Sequence, residues 1–110
     1  MTGPRAVFPK DFYRPVWAEI NHDNLSFNFL SLTRFARRKL SYLPVIKANG
    51  YGHGMVQVAR TLSKHNPAFF GVSSVEEALE LKDAGVKVPP LILGNIYPFT
   101  NLAPAIESGT

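Results

Sequence analysis

Apolar positions along the chain follow two different spacings, which predict short strands and helices. Residues 15–21 (PVWAEIN) alternate apolar and polar side chains and predict a half-buried strand. The apolar residues that follow recur at helical spacing and predict a helix from Asn24 to about Lys39, with Asp23 as its N-cap. The first fourteen residues combine two prolines and a glycine without periodicity, so we expect residues 1–14 to form a flexible arm and 15–110 the domain.

From residue 40 onward, apolar strands alternate with amphipathic helices. Strands are predicted at 40–47, 68–72 and 88–94, and helices at 55–63, 75–85 and 101–108. In the second of these helices Ser73 or Ser74 is the expected N-cap, and Glu76 and Glu77 are the expected capping-box partners. Strands that are apolar on both faces and separated by helices indicate a parallel sheet covered by helices. An open doubly wound sheet and the first units of a (β/α)8 barrel both fit this pattern.

Composition narrows the class of protein. The 110 residues, 45% of them hydrophobic, fit one globular domain but not a closed α/β barrel of about 250 residues. The absence of cysteine excludes disulfides, zinc ribbons, iron–sulfur clusters and thiol catalysis. No apolar run reaches the roughly 18 residues of a membrane span, and no cleavable leader is apparent, so we expect a cytoplasmic protein without membrane contact.

The charged and aromatic side chains are expected to have structural roles and not to bind nucleic acid or metal. The net charge is +4, and a basic run ends the first predicted helix without the interleaved aromatic residues that stack on bases. We therefore expect a solvated helix end and no nucleic-acid partner. The isolated histidines, His22 and His65, indicate no metal site. Core packing is the expected role of the aromatic residues Phe27, Phe29, Phe35, Phe69 and Phe70.

A lysine ends the strand predicted at 40–47, directly before a glycine-rich loop. Leu43, Val45 and Lys47 share one face of that strand, so Lys47 projects from a face that Val45 helps to bury. Desolvation disfavours a charged amine, and a partly neutral lysine is able to form a Schiff base. The strand pattern alone favours the alternative, a lysine whose amine simply reaches solvent at the strand end, but the loop that follows changes this balance.

The loop after the lysine has the composition of an anion-binding turn. Glycines at 50, 52 and 54 permit positive φ, and the start of the next helix offers free N–H groups. Together with the Tyr51 hydroxyl, the lysine and this turn indicate a phosphorylated carbonyl cofactor such as pyridoxal phosphate. An ordinary βα turn is the alternative. The Walker pattern and GxGxxG are both absent, which disfavours nucleotide binding.

The segment VIKANGYGHG at 45–54 resembles the VKANAYGHG cofactor motif of alanine racemases. RPVWAEINHDNLSFNFLSL resembles the opening segment of that family, and FGVSSVEEALELKDAGVKVPPLILGN resembles its second and third barrel units. The resemblance, over roughly residues 14–97, implies α/β architecture: the first β/α units of a TIM-type (β/α)8 barrel, preceded by a strand and a helix. Gly50 replaces the family's usual alanine and should loosen the loop slightly.

The resemblance also implies an activity and the roles of particular residues. Alanine racemases use pyridoxal 5'-phosphate to interconvert L- and D-alanine, and they supply D-alanine for cell-wall peptidoglycan as homodimers. By this resemblance Lys47 would bind the cofactor covalently and act as the base on one face of the α-carbon. Tyr51 would hydrogen-bond the cofactor phosphate, while Val45, Leu91 and Leu93 would line the barrel interior near the cofactor.

Two further loop residues are assigned structural roles, and alternatives to a complete alanine racemase remain. Asn49 and His53 are expected to order the loop or cap the next helix. The tyrosine base for the opposite face and the arginine on the pyridine nitrogen belong, in this family, to later regions and to the partner subunit. We therefore expect an incomplete, inactive fragment with about three of eight units. A racemase for serine or another small amino acid, and a non-catalytic piece that acts only in association, remain open.

Overall fold

The computed structural model describes residues 16–110 as a series of short helices and two strands. The predicted arm, residues 1–14, lies outside this range. In chain order the elements are α1 (His22–Phe35), α2 (Lys47–Tyr51), α3 (Met55–Ser63), β1 (Phe70–Val72), α4 (Val75–Asp83), β2 (Pro90–Ile92), a 3-10 turn (Phe99–Asn101) and α5 (Leu102–Glu107).

The sheet is parallel, as the β/α alternation predicts. β1 pairs with β2, with Gly71 opposite Leu91. The strand predicted at 40–47 is reduced to a single parallel bridge between Val45 and Gly71. Two hydrogen bonds form that bridge: Ile46 N–H donates to the Gly71 carbonyl, and Gly71 N–H donates to the Pro44 carbonyl, both at 2.8 Å. The three segments therefore lie side by side in chain order, as consecutive β/α units do.

One face of the sheet, which we call the outer face, is covered by helices. Ile46, Phe70 and Val72 point to this side and are almost completely buried. They pack with residues of α3 and α4, because the apolar stripes of those helices fall at helical spacing. The buried residues of the two helices in this core are Met55, Val58, Ala59, Leu62, Ala78 and Leu81.

The opposite face, which we call the inner face, is apolar but open. Val45, Leu91 and Leu93 retain 37%, 41% and 39% of their exposure. Their side chains lie on one side because Val45 and Leu91 both pair with Gly71, and Leu93 follows Leu91 by two residues. A β-carbon added to Gly71 would lie 2.8 Å from Leu93 Cδ1 and 3.2 Å from Val45 Cγ2, so these side chains meet above the glycine.

The segment before α1 departs from the prediction. Residues 16–21 are not assigned to a strand. The N-cap of α1 is Asn21, whose side chain accepts from Asn24 N–H at 2.9 Å, and Asp23 lies inside the first turn. The helix ends at Phe35 instead of Lys39, since Arg37 adopts a positive φ of 53°.

Core packing is confirmed for some of the aromatic residues and is wrong for others. Phe70 is fully buried, and the Phe29 ring packs edge-on against Tyr42 at 5.6 Å between centroids. Phe27 and Phe35 are exposed, because they lie on the side of α1 that faces away from α3. No helix within residues 16–110 has both the length and the apolar character to cross a membrane.

Candidate functional site

Lys47 lies at the carboxyl end of the first parallel segment, two residues after the Val45 bridge. Its side chain is half-buried. Across residues 16–110 the structure gives its amine no hydrogen bond and no ion pair. The carboxyl ends of parallel strands are where β/α folds collect their functional groups, and Lys47 is the first residue past that edge.

The backbone after Lys47 turns with left-handed geometry. Ala48, Asn49 and Gly50 have φ values of 53°, 54° and 63°, and Tyr51 follows at 55°. A left-handed conformation costs a residue with a β-carbon roughly 1–2 kcal/mol. Three of these four residues carry a β-carbon, so bonds from outside the turn must stabilise it.

Two loop residues supply part of that stabilisation. The Asn49 side-chain oxygen accepts from Met55 N–H at 2.9 Å and so caps the start of α3. His53 Nδ1 lies 2.9 Å from the Gly50 carbonyl and orders the middle of the loop. The predicted roles of Asn49 and His53 in capping and loop order are confirmed. A β-carbon at Gly50 would make only ordinary contacts at 3.5 Å, so no steric clash requires glycine at this position. Glycine instead avoids the strain that a positive φ imposes on other residues.

Glu77 is the site residue whose role the sequence analysis missed. The capping-box prediction places its carboxylate on the N-cap of α4, yet one carboxylate oxygen accepts from Ala48 N–H at 2.8 Å. The other oxygen accepts from Ser73 N–H at 2.7 Å and from the Ser73 hydroxyl. The position of Glu77 in the sequence could have indicated this role. An acid that follows the second parallel strand lies at the same sheet edge as the turn that follows the first parallel strand.

The charge state of Glu77 follows from these bonds. Partial burial raises the pKa of the Glu77 carboxyl, but hydrogen bonds from the Ser73 hydroxyl and from backbone N–H groups outweigh it. The pKa therefore lies below its ordinary value, and the carboxylate is ionised at neutral pH.

The remaining predicted site residues divide into two groups. Val45 and exposed Tyr51 line a shallow cleft of about 230 Å³ together with residues of α1 and α3. Leu91 and Leu93 lie across the inner face, outside the lining of that cleft. Val45 is thus shared by both groups: it lines the cleft with Tyr51, and it lies on the inner face with Leu91 and Leu93.

A larger cleft of about 380 Å³ lies on the other side of the turn, between residues 17–22 and 49–57. Its ionisable lining groups are Glu19, His22 and His53. His22 is already engaged, since its Nδ1 lies 2.6 Å from the Thr61 hydroxyl. Within the described range no group of three His, Cys, Asp or Glu residues is arranged to hold a metal ion.

The fold and the site together show consecutive parallel β/α units, with a lysine at the carboxyl end of the first parallel segment. Comparison with known proteins agrees: residues 20–110 match the family model "Alanine racemase, N-terminal domain". The chain therefore belongs to the alanine racemase N-terminal domain family, which confirms the predicted fold class.

Individual relatives show how much of such a protein the chain represents. It is 43% identical to the alanine racemase of Carboxydothermus hydrogenoformans over 101 residues, which cover 86% of this chain and 27% of that protein. It is 45% identical to the alanine racemase of Fusobacterium nucleatum over 78 residues, covering 71% and 22%. The chain thus spans about a quarter of the length of these relatives.

Solved structures give the same result. Alanine racemase from Clostridium difficile 630 superimposes with a TM-score of 0.73 at 34% identity, over 78% of this chain and 22% of that one. Alanine racemase from E. faecalis superimposes with a TM-score of 0.70 at 31% identity, over 82% and 24%. The β/α units described above therefore occur within alanine racemases of known structure.

Proposed function

We propose that this chain is the lysine-bearing part of a pyridoxal-phosphate-dependent alanine racemase, an isomerase that interconverts L- and D-alanine. One observation carries the proposal: Lys47 is a half-buried residue at the carboxyl end of the parallel segments, and its amine is unpaired among the described residues. An amine in this position is suited to react with an aldehyde. The alanine racemases to which the chain is similar support the choice of reaction.

The residues present fit pyridoxal 5'-phosphate. The cofactor combines an aldehyde, a flat ring and a phosphate, and the chain offers a group for each of them. Lys47 provides the amine, Tyr51 an exposed hydroxyl that is able to donate to the phosphate, and the inner face an apolar surface for the ring. The apolar surface consists of Val45, Leu91 and Leu93.

When bound, the cofactor would withdraw electrons from the substrate and so acidify its α-carbon proton. The role of Lys47 is to accept that proton on one face of the α-carbon and to return it there in the reverse direction. The bonds that hold α2 keep the backbone of Lys47 in place and so fix the direction in which its side chain leaves the backbone. The Tyr51 hydroxyl orients the phosphate end.

We assign the rest of the reaction to other parts of a complete enzyme. The proton donor for the opposite face and the partner of the pyridine nitrogen have no candidates among the residues assigned above. In our proposal they come from later barrel units and from the second subunit of a cytoplasmic homodimer, and the chain by itself is inactive. The product would be D-alanine for cell-wall peptidoglycan.

Two alternatives follow from specific observations. None of the described residues assigned to the site selects the substrate side chain, so a racemase for serine or another small amino acid fits the same lysine site. The open inner face also fits a non-catalytic piece that acts only by association, since exposed apolar patches mark interaction surfaces. Rates for L-alanine and L-serine in a complete enzyme containing this segment distinguish the first alternative.

Borohydride trapping tests the assignment of Lys47. The chain is incubated with pyridoxal 5'-phosphate, reduced, digested and mapped for labelled lysines. We expect label at Lys47 in the unsubstituted chain and its loss in Lys47→Ala, whereas Lys64→Ala, which removes an exposed lysine after α3, leaves the Lys47 label unchanged. Label confined to other lysines contradicts the proposal. Racemisation by the purified chain contradicts its predicted inactivity.

A further inference from the structure

A single carboxylate joins the turn after Lys47 to the following β/α unit. Glu77 is the third residue of α4, and one of its oxygens accepts from Ala48 N–H at 2.8 Å, across 29 positions of the sequence. Its second oxygen accepts from Ser73 N–H at 2.7 Å and from the Ser73 hydroxyl. Both oxygens are therefore used, one by each of two consecutive loops at the same sheet edge.

The bond to Ala48 restrains the backbone next to Lys47. The N–H of Ala48 belongs to the peptide group that directly follows Lys47. On the other side, Ile46 N–H donates to the Gly71 carbonyl at 2.8 Å. The backbone is thus held one residue before the lysine by the sheet and one residue after it by Glu77. These two contacts together determine the direction in which the Lys47 side chain leaves the backbone.

The conformation of Ala48 explains why an external acceptor is needed. Its φ of 53° is left-handed, a conformation that a residue with a β-carbon adopts only when its surroundings compensate. A bond to an ionised acceptor is about twice as strong as one between neutral groups. Glu77 is therefore well suited to hold this residue in place.

A purely local role in capping α4 does not account for the contacts. A capping-box acid accepts from the backbone N–H of its own N-cap residue. Here the N-cap is Ser74, and the Glu77 carboxylate instead contacts Ser73 and Ala48. The Ser74 hydroxyl accepts from Glu77 N–H at 3.2 Å, so α4 is capped without the carboxylate.

We infer that Glu77 is a positioning residue for Lys47: its carboxylate holds the left-handed turn so that the lysine amine is presented to a phosphorylated aldehyde. The inference rests on the proposed function of Lys47. It assigns Glu77 no contact with substrate or cofactor, and its effect is transmitted through the Ala48 peptide group.

The test uses the full chain with three substitutions. Glu77→Gln keeps the size of the side chain but loses its charge and replaces one acceptor oxygen by a donor. Glu77→Asp keeps the charge at the start of α4 but shortens the reach by one methylene. Glu76→Gln is the matched control, since Glu76 is the preceding residue and its carboxylate accepts instead from the Asn101 side chain at 3.3 Å.

Two quantities are measured: the hydrogen-exchange rate of the Ala48 amide, and the ratio of borohydride-trapped pyridoxal phosphate at Lys47 to that at Lys64. We expect Ala48 to exchange about tenfold faster in both Glu77 variants, as loss of a charge-assisted hydrogen bond predicts. We expect the labelling ratio to fall severalfold in the same variants, while Glu76→Gln matches the unsubstituted chain. Exchange of core amides in α3 verifies that each variant is folded, and Glu77→Asp decides the test if Glu77→Gln does not fold.

The outcomes separate this inference from the function on which it rests. Unchanged Ala48 exchange in a folded Glu77 variant overturns the inference. Faster exchange with an unchanged labelling ratio also overturns it, since Glu77 would then stabilise the turn without positioning the lysine. A lack of preference for Lys47 in the unsubstituted chain overturns the proposed function itself, and it is visible before any variant is compared.

Discussion

The two faces of the sheet are built from the same short segments, yet they have opposite environments. Phe70 is completely buried on the outer face, whereas its neighbour Phe69 is 41% exposed. The difference arises because α3 and α4 both cross on the outer side, and β/α units of one hand place their helices on one side of a closing barrel. Apolar character along a strand therefore does not reveal which face is covered.

This asymmetry separates stability from function. The outer face, with its packed helices, provides the hydrophobic burial that stabilises the fold. The inner face contributes little burial but carries Val45, Leu91 and Leu93, which we assign to the cofactor environment. Lys47 lies at the edge where the two faces meet, so its backbone is held by the sheet while its amine remains available.

Introducing a charge should give the largest difference in stability between the outer face and the inner face. Ile92 is partly buried against the core on the outer side, so Ile92→Glu places an unpaired carboxylate against apolar side chains at a cost of several kcal/mol, and we expect the chain to unfold. Leu91→Glu, on the inner face, should lower the free energy of unfolding by less than about 1 kcal/mol and reduce self-association. Urea unfolding followed by circular dichroism, with sedimentation velocity, measures both effects. Equal destabilisation by the two substitutions would contradict the asymmetry.

Truncating adjacent aromatic residues should give the next largest contrast. Phe70→Ala removes a fully buried ring and should lower the free energy of unfolding by about 3–5 kcal/mol. Phe69→Ala, one residue earlier but on the inner face, should cost about 1 kcal/mol. Denaturant midpoints of the two variants provide the comparison. A larger loss for Phe69→Ala would mean that the inner face is covered in solution.

Adding a methyl group should distinguish a packed face from an open one. A β-carbon at Gly71 meets the ends of the Leu43 and Leu93 side chains, which are able to shift into open space, so Gly71→Ala should cost less than about 1 kcal/mol. Ala78→Val, in the closed outer core, should cost about 1–3 kcal/mol through overpacking. Thermal unfolding of both variants tests this prediction. It fails if Gly71→Ala is the more damaging change.

Acidification should have the smallest effect. The pKa of Glu77 is lower in the folded chain than its ordinary value, so its contribution to stability is complete above the unfolded pKa and is lost as pH falls through the folded pKa. We expect the urea midpoint to decrease below about pH 4, and this decrease to be smaller in Glu77→Gln than in the unsubstituted chain. Glu76→Gln should keep the full decrease. Identical pH profiles for the two variants would show that the Glu77 carboxylate, through its bonds to Ser73 and Ala48, adds no pH-dependent stability.

Local patterns in the sequence predicted much of the fold. The helix predicted at 55–63 is α3, Met55–Ser63, and the helix predicted at 75–85 is α4, which ends at Asp83 just before Gly85. The parallel arrangement is also confirmed. These features follow from apolar spacing, caps and glycine, which act over a few neighbouring residues. The strand predicted at 15–21 is not formed over residues 16–21, since an alternating local pattern does not by itself place a segment in a sheet.

The sequence by itself determined where the candidate lysine lies, since the apolar segment before Lys47 and the glycines after it are read directly from the chain. It also determined that Asn49 and His53 order the loop, because their partners are only a few residues away. Only the tertiary structure decided which face is open and which acid holds the turn. Glu77 reaches Ala48 across 29 positions, and the chain has to fold before two such distant groups share one sheet edge.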